Sequence, residues 1–287
     1  VLALKIQHPG VRQSIGSDVA NLAWLARTPG LLPAGLDLTE MLDRVHHQLL
    51  RETDYQAEAA ATAAYRQALG DDPVLWVPAV HADHCGDAIL ATDFAPGVPV
   101  DRLATAGTPA QRDAVATALV RLAAHELFGM QLVQTDPNFS NYLHDAASGR
   151  VALLDFGAAE AIAPHRVQQL RCLGRGLRDG DAAQVRMAAL ALGYVGESEP
   201  PAQADGVLAI LMAAGEPLRH AGAYDFGASD LFRRMVAQGQ TQFFNQGFSR
   251  TPPPDLLLLQ RKFVGTFLLC ARLRARVDLA GIFAPHL

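Results

Sequence analysis

An apolar tetrapeptide, Val151-Ala152-Leu153-Leu154, runs straight into Asp155-Phe156-Gly157. Fourteen residues before Asp155 stands Asn141, itself five residues after Asp136. This order constrains the fold more than any other feature of the chain. Four consecutive apolar residues next to turn formers read as a short buried strand. The strand delivers Asp155 on a rigid support, and residues 134–141 read as a loop that presents a carboxylate and an amide just before it. A buried strand ending in a turn, with Asp155 as a helix cap, accounts for one of these elements but not for the spacing of all three.

The residue types suit one kind of chemistry. Phosphoryl transfer asks a protein mainly to hold metal-bound phosphates and to orient a nucleophile. Magnesium prefers hard oxygen ligands, which a carboxylate and an amide provide. An aspartate, an asparagine at this offset and an Asp-Phe-Gly aspartate behind a strand follow the plan of a kinase site. The tripeptide alone is a weak signal, since Asp225-Phe226-Gly227 repeats it. The second copy has no apolar strand before it and no asparagine at the right distance, so it reads as a loop.

Of 24 basic residues only two are lysines, Lys5 and Lys262. Lys5 lies in the short apolar run 1–7, a strand closed by His8-Pro9-Gly10. A lone lysine in a strand is usually a solvated one, but in a chain that otherwise uses arginine it fits a point-charge role at a phosphate, for which a forked guanidinium is poorly shaped. Glu52 and Glu58 are both candidate partners. Six residues apart on a helix they point in different directions, so at most one faces Lys5.

Helices are expected over about 11–27, from a start at Asp37 and Glu40 through Met41, Val45 and Leu49, and over 52–69 with Gly70 as the stop. Strands are expected over 75–80 and 88–94 with 83–87 as the turn between them. Residues 95–99 form a hinge candidate. Thr108, Pro109 and Gln111 mark an N-cap, an N1 proline and its N3 partner, with Val115, Leu119, Leu122 and Met130 as the buried stripe that follows. Further helices, punctuated by Gly193, Gly215 and residues 251–254, fill the rest.

The chain has 287 residues, half of them apolar and 18% charged, enough for a sizeable core. A net charge of −5 argues against nucleic acid as a partner. Three cysteines without metal spacing suit a reducing, cytoplasmic setting. No apolar run is long enough to span a bilayer. The start in mid-strand, at Val1 rather than methionine, suggests that an upstream part is missing.

Together, residues 4–11, 52–58, 134–143 and 151–157 resemble the UbiB-like (AarF-type) family of atypical kinases, and Gln134-Thr135-Asp136-Pro137-Asn138-Phe139-Ser140-Asn141 is most similar to its mitochondrial coenzyme Q kinase branch. The resemblance implies an α+β, protein-kinase-like bilobal fold. An incomplete N-lobe would occupy 1–96 and a mostly helical C-lobe 97–287. It implies ATP and Mg2+ as cofactors. Lys5 would meet the phosphates and Glu58 would pair with it. Asp136 would be the catalytic-loop aspartate, Asn141 and Asp155 metal ligands, and Glu52 and Asp54 an acidic pair near the metal. Backbone groups around Asp93, Phe94 and Ala95 would meet the adenine. A lipid or isoprenoid intermediate, quinone-biosynthesis enzymes and peripheral membrane contact are the implied partners. The family's Ala-rich nucleotide loop and Lys-x-Gly-Gln helix are not in this sequence, so weak ATP turnover is expected of these residues alone.

Two rival functions remain: a nucleotide-binding pseudokinase or partner scaffold, and an aminoglycoside- or choline-type small-molecule kinase. The latter leaves 52–58 and the region around Pro252 unexplained. His46-His47 and His81-x-x-His84-Cys85 lack a second cluster to complete a metal site. The C-terminal helix combines Leu256, Leu259, Phe263, Phe267 and Cys270 with Arg261, Lys262, Arg272, Arg274 and Arg276. It reads as a core helix with a solvated basic face more readily than as a membrane-surface helix.

Overall fold

A computed structural model describes residues 1–11, 14–16, 19, 20, 50, 53–242 and 252–287. The chain forms two compact units, Val1–Gly97 with Leu143–Ala159, and Val98–Tyr142 with Glu160–Leu287.

In the first unit, strand β1 (Leu2–Ile6) pairs antiparallel with β3 (Ile89–Asp93), with Lys5 opposite Leu90. Helix α1 (Tyr55–Leu69) begins where the Asp54 carboxylate accepts the Ala57 N–H at 2.9 Å. It ends at Gly70, which adopts φ 49° and donates its N–H to Arg66, a backbone state open to glycine at little cost. Its buried residues, Tyr55, Glu58, Thr62 and Tyr65, recur at helical spacing and form one stripe. A carboxylate on that stripe needs a partner within the protein.

The expected strand over 75–80 shortens to β2 (Leu75–Trp76), and it does not form a hairpin with β3. Proline at 78 removes a ladder donor, and the Arg66 guanidinium takes the Val77 carbonyl at 2.5 Å. Beyond it only an isolated bridge joins Val80 to Thr92. β2 instead pairs in parallel with β4 (Val151–Leu153), Leu75 opposite Val151. The Val151 N–H bonds to the Val74 carbonyl at 2.7 Å, and Arg150 bonds to the carbonyls of Asp72 and Leu75. These contacts tie 143–159 to the first unit, so the division differs from a single boundary after residue 96.

In the second unit, α2 (Pro109–His125) carries the expected capping box: Thr108 accepts the Gln111 N–H, and the Gln111 side chain accepts the Thr108 N–H. Val115, Leu119 and Leu122 are buried as expected, while Met130 is half-buried at the end of one wider π turn, Glu126–Met130. Helices α3 (Pro164–Asp179), α4 (Ala182–Leu192) and α5 (Pro201–Ala214) follow. The core of this unit draws Val167, Leu173 and Leu177 from α3 and Val185 and Leu192 from α4. After strand β5 (Tyr224–Asp225) come α6 (Leu231–Gln240), α7 (Pro254–Leu273) and β6 (Arg276–Val277), which pairs with β5.

Helix α7 departs from its expected solvated basic face. Lys262 lies on the buried side with Leu256, Leu259, Leu269 and Cys270, and Phe263 and Phe267 are half-buried. Arg274 and Arg276 lie past the helix end. The expected elements at 37–49, most of that at 11–27 and Glu52 fall outside the described residues, as do His46 and His47; the helix expected over 52–69 starts at Tyr55, after Thr53 in a turn and Asp54 as its cap.

Candidate functional site

β1, α1 and the end of β4 bring three charged side chains together. Lys5 Nζ donates to both Glu58 oxygens, at 2.9 and 2.8 Å, and stands 3.4 Å from Asp155 Oδ2. It also lies 5.5 Å from the centre of the Tyr55 ring, within range of cation–π attraction. The Glu58 side chain is 4% exposed, against 40% for Lys5 and 45% for Asp155. One partner is therefore locked in the core, while the cation and the second carboxylate face solvent. Burial alone would lower the Lys5 pKa, but the hydrogen bonds and charge of Glu58, helped by Asp155, leave it raised. Burial pushes the Glu58 carboxyl up, and Lys5 pulls against that shift.

Asp155 has φ +57°, the left-handed region that aspartate enters more readily than most residues. Its Oδ1 accepts the Gly157 N–H at 3.2 Å. Phe156 turns the other way, 3% exposed, with its ring 4.4 Å from that of Tyr65 on α1. The tripeptide thus anchors to the helix that carries Glu58 and aims Asp155 at Lys5.

In the second unit, the Asn138 side chain accepts the Ser140 N–H and shapes the turn Phe139–Asn141. Asn141 donates through Nδ2 to Asp136 Oδ2 at 3.1 Å. Arg261 on α7 donates to Asp136 Oδ1 at 2.5 Å. Both oxygens of Asp136 are therefore engaged. Arg261 is a contact that sequence reasoning missed, since it lies 125 residues away and nothing local marks it. The pairing of buried Lys262 with buried Glu126, 2.7 Å apart, was missed for the same reason; the scarcity of lysine was its only signal.

Other candidates are seen in structural contacts or lie outside the described residues. Asp54 is exposed and caps α1, and Glu52 lies outside the described residues. The Asp93 carboxylate accepts from the Ala79 N–H and bonds to His81, whose hydrogen bond holds its pKa down. The backbone N–H groups of Asp93 and Phe94 are bonded to the carbonyls of Ala79 and Val1. The Phe94 ring is exposed and Ala95 half-buried. Among the described residues, no group of three or more His, Cys, Asp and Glu side chains is placed to hold a metal. His84 sits in a single helical turn, Ala82–His84.

Comparison with known proteins bears on the family of the chain. Residues 1–189 match the model of the ABC1 atypical kinase-like domain. The chain is 36% identical to the mitochondrial atypical kinase COQ8B of Rattus norvegicus, over 98% of this chain and 53% of the relative. It is 30% identical to the mitochondrial atypical kinase COQ8 of Saccharomyces cerevisiae, over 98% of this chain and 56% of the relative. It thus spans about half the length of these curated relatives. The solved Rv3197–erythromycin complex from Mycobacterium tuberculosis has the same fold, with a TM-score of 0.74 at 22% identity, covering 100% of this chain and 71% of that one. With an α+β, kinase-like fold and residues 1–189 of 287 matched, the chain belongs to the ABC1 atypical kinase-like family.

Proposed function

We propose that the chain carries the Mg2+–ATP-handling residues of an atypical kinase or ATPase that supports isoprenoid-quinone or lipid metabolism. The observation that carries this reading is the convergence of Lys5, Glu58 and Asp155. A cation held by a buried carboxylate keeps a fixed position, so it can meet the α- and β-phosphates as a point charge. The Asp155 carboxylate is half exposed beside that cation, which fits a hard-oxygen ligand for magnesium. The Asn141 amide oxygen is of the same ligand type. Bound by Asp155, magnesium would neutralise charge on the phosphate oxygens. Asp136 would orient the attacking hydroxyl or water.

A second reading, nucleotide binding without turnover, draws on Asp136. Its two oxygens accept hydrogen bonds from Arg261 and Asn141, contacts that hold it in place and compete with a substrate hydroxyl for its lone pairs. The names of the mitochondrial relatives support quinone-biosynthesis partners. No described helix is long and apolar enough to cross a membrane.

The test is calorimetric titration of Mg2+–ATP, with phosphate release, on the full-length protein and its Lys5→Arg variant. Arginine keeps the charge but not the compact geometry. A loss of about tenfold or more in affinity or turnover is expected, equal to about 1.4 kcal/mol. Wild-type affinity together with wild-type turnover would remove Lys5 from the phosphate site.

A further inference from the structure

The buried Lys262–Glu126 pair has no part in the chemistry just described. Glu126 is 0% and Lys262 1% exposed. Taking two charges out of water is costly, and apolar residues of similar volume often stabilise a core equally well or better. Stability alone is a weak reason for such a pair, and its surroundings supply another. Glu126 Oε1 accepts the Gln134 N–H at 3.4 Å, and Gln134 Oε1 accepts the Asp136 N–H at 2.9 Å. Lys262 Nζ lies 3.5 Å from the hydroxyl of Tyr142, the residue directly after Asn141. The pair therefore touches the chain just before Asp136 and just after Asn141. Between those points Pro137 rests on α7 at Gly265, where an added Cβ would come within 2.2 Å of the Pro137 Cβ. Burial works against the Lys262 charge, but Glu126 and Tyr142 leave its pKa raised, so the ammonium persists.

We propose that Lys262 and Glu126 are positioning residues that fix both ends of the loop 136–141, so that Asp136 and Asn141 are set by helix α7 and the π turn. Its consequence for turnover rests on the Mg2+–ATP reading; its consequence for the loop does not.

The test neutralises both charges at once, Glu126→Leu with Lys262→Met, in the full-length protein. A single replacement would strand the other charge in the core. The folded double variant is expected to exchange amide hydrogens over 134–142 about tenfold faster or more, with α2 unchanged. Its kcat for ATP is expected to fall about tenfold or more while KM stays within about twofold, as for displaced catalytic groups. Should it fail to fold, Glu126→Gln with Lys262→Met undergoes the same measurements. Exchange over 134–142 within about twofold of wild type, in a folded variant, overturns the proposal. If the wild type turns over no ATP, the Mg2+–ATP reading fails, and the exchange comparison still decides the role of the pair.

Discussion

The chain contains Asp-Phe-Gly twice, and the two copies do the same local work in different surroundings. In both, the phenylalanine is 3% exposed: Phe156 against Tyr65, and Phe226 against Tyr224 and Phe267. In both, the aspartate accepts the N–H of its own glycine, at 3.2 Å for Asp155 and 2.9 Å for Asp225. Asp225 accepts the Ala228 N–H at 3.0 Å, within an ordinary turn after β5. Asp155 takes φ +57° and meets Lys5. The tripeptide is therefore an anchor and a turn. What separates a candidate catalytic copy from a structural one is the company of the aspartate, namely a lysine held by a buried glutamate.

The largest expected effect is one the two copies share. Phe156→Ala and Phe226→Ala each remove a buried ring, and each should cost about 3–5 kcal/mol of stability. Denaturant unfolding of both variants checks this. A loss at only one of them would show that the copies are not equivalent anchors.

A smaller effect separates them. Lys5→Met leaves Glu58 buried without its cation, at a cost of about 2 kcal/mol at neutral pH, kept modest because Lys5 is half exposed. The cost should depend on pH with a definite sign. Burial raises the Glu58 carboxyl above its ordinary value near 4.5, so the folded variant holds a proton that the unfolded chain releases. The variant should be nearly as stable as wild type at pH 4 and lose ground as pH rises through and above about 4.5. Melting temperatures at pH 4.5 and 8 measure it. A gap independent of pH would mean that Glu58 is not the group left stranded.

The comparison also shows what could be read without coordinates. Spacing along the chain picks out Asp136, Asn141 and Asp155, and the setting of Lys5 in an apolar strand picks it out as well. The capping box at Thr108 and the stop at Gly70 are local signals and were legible for that reason. Sequence left Glu52 and Glu58 open as partners of Lys5; among the described residues the contact falls to Glu58, on the buried stripe of α1. The shortened β2 was legible in principle, since Pro78 lies inside the run expected to be a strand. Arg261 and the Lys262–Glu126 pair were not. They are tertiary contacts more than a hundred residues apart in sequence, and charge pattern alone placed Lys262 on a solvated face. A buried cation leaves no periodic trace once its partner lies on another element.

The central claim is that company, not tripeptide, makes the site, and Mg2+-dependent stabilisation by ATP tests it most directly. With nucleotide at ten times its dissociation constant, binding should stabilise the full-length protein by about 1.4 kcal/mol. Thermal unfolding with and without Mg2+ is compared for wild type, Asp155→Asn and Asp225→Asn, since asparagine preserves the turn in either copy but removes the charge. The account predicts that the Mg2+-dependent shift disappears in Asp155→Asn and survives intact in Asp225→Asn. An undiminished shift in Asp155→Asn, or its loss in Asp225→Asn, would contradict it.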